Sequence, residues 1–310
     1  MDERIAIVGG CNIDISATSS TALIFQDSNP GKLETSLGGV GRNIGENLAR
    51  LGYCVSLLAP IGNDAFRYKI EEQSRAVGID LSHSLFVEDA TTSSYLCINH
   101  PNGDIALAVS DMEICNRLTP AWLEKQLPFL NACPYVVIDA NISEESLTYL
   151  ATHCKSRLCA DTVSTKKAER LLGALPSLFF LKANLAEAEI LAGYPLEDHY
   201  SIRKAASGFH MAGVKNVAIT LGTKGAFVSH HTDKAILSPM LATTVNSTGC
   251  GDAFFSGALH GLIQGKSLMD VLRYGLAMAS ICAGANSAVS PAVSQDLLDR
   301  TLKAYEGGLH

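Results

Sequence analysis

The spacing of apolar positions along the chain predicts an α/β protein. Short apolar runs predict buried strands near 5–9, 55–59, 134–140, 157–161, 177–182 and 215–221, with a hairpin near 225–238. Helical periodicity predicts helices near 41–51, 64–77, 120–128, 143–152, 165–173, 184–192, 199–212, 250–264, 268–285 and 294–306. Strands and helices that alternate in this way form a mainly parallel sheet covered by helices on both faces.

Two segments, about 13–36 and 84–112, have strand-like alternation and turn residues but no helical pattern. Within the second segment, Pro101-Asn102-Gly103 separates two strand-like runs, and Asn-Gly is a strong hairpin signal. We therefore expect the two segments to pair into a small separate sheet. The chain of 310 residues is expected to form one domain (1–310) in which these segments are inserted.

The composition restricts the kinds of partner. Hydrophobic residues make up 47% of the chain and charged residues 18%, which suits a large core. The net charge of −7 argues against a broad nucleic-acid or anionic-membrane surface. The first apolar run lacks a preceding basic segment, and no run reaches the ~18 residues of a membrane span. Nine scattered cysteines without a Cys-x-x-Cys pair are typical of reduced thiols, so we expect a cytoplasmic protein.

The histidines do not have the spacing of metal ligands. His230-His231 lies between two strand-like runs and predicts a turn instead of a metal site.

A glycine-rich segment near the C-terminal end, Thr248-Gly249-Cys250-Gly251-Asp252, opens a long apolar helix. The backbone amides of residues 249–252 would lie at a helix N-terminus, where unpaired N–H groups and the helix dipole favour a phosphate. A carboxylate beside a phosphate site is electrostatically unfavourable, which suggests that Asp252 takes a proton from an attacking hydroxyl. The alternative is an acidic first-turn residue that only complements the dipole.

A second glycine-rich segment, Gly38-Gly39-Val40-Gly41-Arg42-Asn43, also leads into a helix. A dinucleotide fingerprint is disfavoured because the third glycine is missing and residues 32–36 are too polar for a buried strand. A purely structural turn is the stronger alternative. Against it stands Asn43, a polar residue in the first helical turn that could face a ligand.

Asn12 and Asp14 follow the first predicted strand. Their spacing of two places both side chains on one side of an extended segment, where they could bracket the vicinal hydroxyls of a sugar. The alternative is an Asx turn that leaves the strand.

Two further motifs have both a structural and a functional interpretation. Asn184-x-x-Glu187 fits a capping box, but Glu187 could also act through water on Mg²⁺ carried by a nucleotide. The segment 220–225, with Thr220, Gly222, Thr223 and Gly225, suits a phosphate contact or a hairpin turn.

In their order along the chain, these motifs resemble those of the ribokinase-like (PfkB-type) carbohydrate kinases over essentially the whole length. The matching segments are Gly10-x-Asn12-x-Asp14, Gly38-Gly39-x-Gly41-x-Asn43, Asn184-x-x-Glu187, Thr220-Leu221-Gly222-x-x-Gly225 and Thr248-Gly249-x-Gly251-Asp252. The resemblance implies an αβα sandwich with a mainly parallel central sheet and a small β-sheet lid. Relatives often dimerise through the lid, so a homodimer is expected.

The resemblance also implies site residues. It implies that Asp252 is the catalytic base and that Gly249, Cys250 and Gly251 form the anion hole with it. The sugar or nucleoside would contact Asn12, Asp14, Gly38, Gly39, Asn43, Ser94, Asp111 and Asn141, as well as Asp252. ATP would contact Asn184, Thr220, Gly222, Thr223, Gly225, Gly249 and Gly251, with Glu187 acting on Mg²⁺.

Within the family, the chain is most similar to pseudouridine kinases. The similarity lies in segments 27–32, 41–44, 92–96, 110–112 and 141–145. It implies ATP-dependent phosphorylation of the 5′-hydroxyl of pseudouridine. Another small-molecule acceptor, such as adenosine, uridine, ribose or fructose, and a non-catalytic nucleoside sensor are the alternatives.

Two positions depart from the family pattern. Asn246-Ser247 stands where Asp-Thr is common, which leaves activation by K⁺ open. Cys250 replaces a frequent alanine, and its N–H is expected to stay available to the anion hole.

Overall fold

The computed structural model describes residues 3–239 and 244–307, and its secondary structure follows the predicted alternation. The strands are Arg4–Val8 (β1), Asn12–Ser19 (β2), Gly31–Gly38 (β3), Cys54–Leu58 (β4), Pro60–Gly62 (β5), Ile79–Asp80 (β6), Leu85–Val87 (β7), Ser94–Asn99 (β8), Ile105–Asp111 (β9), Tyr135–Asp139 (β10), Arg157–Asp161 (β11), Leu178–Asn184 (β12), Asn216–Thr220 (β13), Ala226–His230 (β14) and Asp233–Leu237 (β15).

The α-helices are Val40–Arg50 (α1), Ala65–Ala76 (α2), Pro120–Ala132 (α3), Glu144–His153 (α4), Thr165–Ala168 (α5), Leu185–Ala192 (α6), His199–Ala212 (α7), Cys250–Ile263 (α8), Leu268–Ala283 (α9) and Gln295–Gly307 (α10). Short 3₁₀ helices lie at Glu113–Arg117, Glu169–Ser177 and Gly222–Lys224. Nowhere in residues 3–239 and 244–307 does a helix have the length and apolar character needed to cross a membrane.

The large sheet has nine strands in the order β15-β14-β13-β12-β11-β10-β1-β4-β6. Strands from β6 to β13 in this order pair in parallel, and β14 and β15 are antiparallel at one edge. Alternate residues of β1 enter different apolar clusters: Ile5 and Ile7 pack on one face, and Ala6 and Val8 on the other. Both faces are therefore buried, and the predicted αβα arrangement is confirmed.

The small sheet has four strands in the order β3-β2-β8-β9. It joins the two predicted β-only segments, and β8 and β9 form the hairpin predicted at Pro101-Asn102-Gly103. We call this sheet the lid. Residues Leu85–Val87, at the start of the second segment, lie outside it because β7 pairs with β5. The apolar side chain of Phe86 packs against the main core, which holds this short strand away from the lid.

Two other local predictions had different outcomes. The predicted helix 165–173 is α-helical only over Thr165–Ala168 and continues as the 3₁₀ helix Glu169–Ser177. Gly173 and Pro176 both disfavour a regular α-helix there. The turn predicted at His230-His231 is confirmed, since His231 has a φ of +49° between two antiparallel strands.

The carboxyl ends of the parallel strands bring polar side chains to one edge of the large sheet. Asp139 pairs in register with Asp161, and Asn184 pairs with Thr220. Strand β1 ends at the same edge, and the lid begins four residues after it. Ligands bind at this edge in open α/β sheets, so the fold places the predicted motifs where a site is expected.

Candidate active site

Asp252 lies in the first turn of α8 and is only 8% exposed. The helix begins at Gly249, whose φ of +81° is a conformation that favours glycine. A Cβ there would overlap the carbonyl oxygen of Ala288. The amide Nδ2 of Asn43 donates a hydrogen bond of 2.9 Å to Oδ2 of Asp252. Asn43 and Asp252, predicted from motifs 209 residues apart, are therefore in direct contact.

The electrostatic environment of Asp252 makes its carboxylate a strong proton acceptor. Burial raises its pKa to about 8, and the nearby Asp161 carboxylate adds to the rise. The Lys182 ammonium and the Asn43 hydrogen bond oppose it, and Asp139 raises it further. A base works best when its pKa is close to the working pH, which suits Asp252 to general-base catalysis near neutrality.

The anion hole differs from the prediction at one amide. The N–H of Cys250 donates to the carbonyl of Ser247 at 3.3 Å, so the expectation that it stays available is not met. The left-handed conformation of Gly249 turns the chain so that this N–H closes the preceding loop. Gly251 and Asp252 carry the next two amides, which have no intrahelical acceptor in an α-helix.

The N-terminus of α1 is held beside the end of β1. Gly39 has a φ of +99°, and a Cβ there would overlap the carbonyl oxygen of Gly10. The N–H of Asn43 donates to the Gly39 carbonyl at 2.8 Å, which closes the first turn of the helix. Gly38 pairs in register with Asn12, so the glycine-rich segment that begins at Gly38 directly adjoins Asn12 and Asp14.

Asn12 and Asp14 share one side of β2, as predicted. Nδ2 of Asn12 donates to Oδ1 of Asp14 at 2.5 Å. Both residues belong to a regular strand, so the Asx-turn alternative is wrong. Burial raises the pKa of Asp14 to about 6, although the Asn12 hydrogen bond and the Arg42 guanidinium lower it. The site therefore holds a second carboxyl group whose charge changes near neutral pH.

The register of the lid separates Ser94 and Asp111 from Asp14. Ser94 pairs with Asp111 and with Ile13, so these side chains share one face of the sheet. Asp14 pairs with Tyr95, so those two side chains share the opposite face. Tyr95 thus lies on the same face of the lid as Asn12 and Asp14. Ser94 and Asp111 lie on the other face. Tyr95 was missed because only the register shows which of two neighbours faces Asp14.

Asn141 lies at the end of β10, beside the start of the lid. Its Oδ1 accepts a hydrogen bond of 2.6 Å from Nζ of Lys167. Its backbone N–H donates to Oδ1 of Asp139 at 2.9 Å. A Cβ at Gly10 would lie 2.7 Å from Nδ2 of Asn141, so the side chain directly adjoins the loop that leads to Asn12.

Asp139 and the ion pair between Asp161 and Lys182 were not predicted. The buried carboxylate of Asp139 accepts hydrogen bonds of 2.8 Å from the N–H groups of Gly10 and Gly41. Nζ of Lys182 lies 3.0 Å from Oδ2 of Asp161, and both side chains are buried. A charged residue at the end of an apolar run was the only sequence signal for these positions.

The capping box at the start of α6 is confirmed. Oδ1 of Asn184 accepts from the N–H of Glu187 at 2.9 Å, and Oε2 of Glu187 accepts from the N–H of Asn184 at 2.8 Å. Thr162 also donates its hydroxyl to Glu187. Within the described residues, no cluster of three or more His, Cys, Asp or Glu side chains could hold a metal. A single carboxylate fits Mg²⁺ that is held mainly by nucleotide phosphates and water.

The segment 220–225 forms the connection between β13 and β14, so its interpretation as a hairpin turn is confirmed. Gly222 and Gly225 have φ values of +59° and +96°, and the N–H of Leu221 donates to the Gly225 carbonyl at 2.8 Å. Thr223 lies on the exposed outside of this turn. Because Thr220 pairs with Asn184, the two predicted nucleotide segments are neighbours.

Comparisons with known proteins agree with this geometry. A family model described as pfkB family carbohydrate kinase matches residues 2–295. The chain is 31% identical over 294 residues to the pseudouridine kinase of Escherichia coli (strain K12), covering 94% of each chain. It is 30% identical over 258 residues to the ribokinase of Haemophilus influenzae, covering 81% of this chain and 83% of the relative.

The fold is similar to that of Arabidopsis thaliana ribokinase complexed with ribose and ATP. The TM-score is 0.88 at 22% identity, and the match covers 98% of this chain and 99% of that chain. The predicted ribokinase-like fold is therefore confirmed.

Replacing Asp252 by asparagine is expected to stabilise the folded protein at alkaline pH. The pKa of Asp252 is raised from 3.8 to about 8 by folding, so the folded state holds this proton more tightly than the unfolded chain. The stability that the proton gives is complete below about pH 4 and is lost as the pH rises to about 8. Asp252→Asn should therefore match the parent's melting temperature at low pH and exceed it by at least about 2 °C near pH 8.

Differential scanning fluorimetry across this pH range checks the prediction. Asp233→Asn, which removes one carboxylate from an exposed position, is the matched control. A melting-temperature difference between parent and Asp252→Asn that stays constant with pH would contradict the assigned environment.

Proposed function

The chain belongs to the pfkB family of carbohydrate kinases and is thus a phosphotransferase acting on a sugar or nucleoside hydroxyl, and we propose that its acceptor is the 5′-hydroxyl of pseudouridine. The observation that carries the proposed mechanism is the buried contact between Asn43 and Asp252. It joins the start of α1, which lies beside Asn12 and Asp14, to the start of α8, which carries the proposed anion hole. One acceptor molecule could therefore touch both.

In the proposed reaction, Asp14 accepts hydrogen bonds from ribose hydroxyls and Asn43 orients Asp252. Asp252 takes the proton of the 5′-hydroxyl while the 5′-oxygen forms a bond to the γ-phosphorus of ATP. The bond between the γ-phosphorus and the oxygen that leaves with ADP breaks. The N–H groups of Gly251 and Asp252 stabilise charge on the transferring phosphoryl group. A general base contributes about 10²–10⁴-fold, and positioning with electrostatic stabilisation supplies most of the rest.

We propose ATP as the phosphoryl donor, bound along the neighbouring ends of β12 and β13. Thr223, Gly225 and Asn184 would contact it, and Glu187 would hold a water ligand of its Mg²⁺. When bound, this cation would supply positive charge that offsets the charge of the phosphates. Support comes from the register pairing of Asn184 with Thr220 and from the complex of Arabidopsis thaliana ribokinase with ribose and ATP.

The nine cysteines are all free thiols, which supports a cytosolic location.

Pseudouridine is proposed over other acceptors because the similarity to a pseudouridine kinase extends over 94% of the chain. Tyr95, which shares the face of Asp14, offers an aromatic ring that could pack against a nucleobase. Ribose is the second candidate, since the chain is 30% identical to a ribokinase.

A substrate panel tests this proposal. ADP release with ATP and Mg²⁺ is expected to be fastest with pseudouridine when pseudouridine, uridine, adenosine, ribose and fructose are compared at equal concentration. Asp252→Asn is the control, because it should lower kcat by about 10²–10⁴-fold while nucleoside still binds. Faster turnover of ribose or another nucleoside would overturn the substrate assignment, and parent-like turnover by Asp252→Asn would overturn the base assignment.

Nucleoside binding is expected to strengthen as Asp14 ionises. The pKa of Asp14 is raised to about 6, and only the ionised form accepts two hydroxyl hydrogen bonds without donating. The Kd measured by calorimetry without ATP should therefore fall about tenfold between pH 5 and pH 7. Asp14→Asn should bind more weakly and lose this pH dependence. If the variant keeps the parent's pH profile, Asp14 does not contact the nucleoside.

We also propose that the protein is a homodimer that associates through the lid. Leu33, Leu107 and Val109 are 71%, 54% and 56% exposed, and they lie on the lid face opposite Asp14. Strand pairing places Leu33, Ala17, Ile98 and Leu107 in one apolar row across this face. Burying this face against a second copy would remove it from water while leaving the Asp14 face open to substrate.

Charges on this apolar face of the lid are expected to produce a monomer. The double variant Leu107→Lys/Val109→Lys should abolish the dimer seen for the parent in sedimentation equilibrium, because two buried ammonium groups would oppose association. Met211→Lys, a charge added at an exposed apolar residue outside the lid, is the matched control. A monomeric parent, or a variant that dimerises as tightly as the parent, would contradict the proposal.

A further inference from the structure

We propose that Lys182 is a positioning residue that, together with Asp161, sets the proton affinity of Asp252. The inference rests on the proposed role of Asp252 as base. Lys182 and Asp161 pair in register near the carboxyl ends of β12 and β11, and the Lys182 side chain reaches the first turn of α8 at Gly251. Neither residue belongs to the glycine-rich or capping motifs that the sequence revealed.

The position of the ammonium group is fixed on two sides. Lys182 is 5% exposed, and its Nζ lies 3.0 Å from Oδ2 of Asp161. A Cβ built on Gly251 would lie 2.9 Å from the same Nζ, so the ammonium sits directly against the backbone of the anion hole. Gly251 adjoins Asp252 in the chain. A full positive charge is thus held beside the base, and no mobile solvent-exposed side chain is involved.

The ammonium remains charged in this buried position. Burial pulls the pKa of Lys182 down, but the carboxylates of Asp161, Glu187 and Asp252 outweigh this effect and leave it above its ordinary value. A buried lysine without such partners would lose its proton near neutral pH. The three carboxylates together therefore keep Lys182 positively charged in the folded protein.

Charged and titratable groups face Asp252 from several elements. Asp139 at the end of β10 and Asp161 at the end of β11 disfavour its ionised form, whereas Lys182 from β12 favours it. Glu187 from α6 acts on Lys182, and the charge of Asp252 also acts on the Cys282 thiol of α9. Only Lys182 supplies positive charge in this set. Asp161 both anchors Lys182 and opposes its effect on Asp252.

Two substitutions should move the acid side of the pH–rate profile in opposite directions. A base must be ionised to act, so kcat/KM for the acceptor rises with pH around the pKa of the base. Lys182→Met removes the charge that favours ionisation and should move this midpoint up by about one pH unit or more. Asp161→Asn removes a charge that disfavours ionisation and should move the midpoint down.

The double variant Asp161→Asn/Lys182→Met separates electrostatics from packing. It removes one charge of each sign, so its midpoint should return towards that of the parent even if its maximal rate is low. Lys215→Met, at an exposed lysine, is the matched control and should leave the midpoint unchanged. The experiment uses whichever acceptor of the substrate panel is turned over fastest, so rejection of pseudouridine would not affect it.

The change in the pKa of Asp252 can also be measured through protein stability, without turnover. Asp252→Asn is made in the parent, in Lys182→Met and in Asp161→Asn. In each case the gain in melting temperature should grow as the pH rises and should level off at the pKa that Asp252 has in the folded protein. This plateau should lie at higher pH with Lys182→Met and at lower pH with Asp161→Asn. Opposite shifts in both measurements support the inference. Variants that lower kcat while both midpoints stay at the parent's pH would overturn it and leave Lys182 with a packing role only.

Discussion

The buried carboxylate of Asp139 is the interaction on which the rest of the site depends. It accepts backbone N–H groups from Gly10, Gly41 and Asn141 at 2.8–2.9 Å, and so it ties together the ends of β1 and β10 and the first turn of α1. Burial raises the pKa of Asp139, and the three N–H groups oppose this rise because they favour the ionised form. Each hydrogen bond to a charged group contributes about 1.5–3 kcal/mol, whereas a buried charge without partners is strongly unfavourable. Three chain segments are thereby fixed by one side chain.

The fixed start of α1 determines where the chemistry can take place. With Gly41 held by Asp139, the first turn of α1 points the Asn43 amide at Asp252. The chain that leaves Gly10 enters β2, which presents Asp14 on the lid. Asp139 thus connects the helix start that contacts the proposed base, Asp252, with the strand that carries the proposed sugar-binding residue, Asp14.

The sequence predicted the features that depend on local periodicity or on contiguous motifs. The alternation of strands and helices, the capping box of Asn184 and Glu187, and the glycine that starts α8 all follow from neighbours within a few residues. The register of the lid strands could not be predicted from the sequence, because a shift of one residue exchanges the two faces of a strand. That is why Ser94 was predicted where Tyr95 lies beside Asp14. Asp139 was missed for a related reason, since its partners come from three separate segments.

The excess of negative charge around Asp252 has a consequence for the donor of the proposed reaction. Burial, Asp161 and Asp139 already raise the pKa of Asp252, and Lys182 only partly compensates. The phosphates of ATP would bring more negative charge to the anion hole and would favour the protonated carboxyl group, which cannot accept a proton. A divalent cation that arrives with the nucleotide would cancel much of this charge. In the proposed mechanism, this neutralisation would allow Asp252 to stay ionised while the nucleotide phosphates occupy the anion hole.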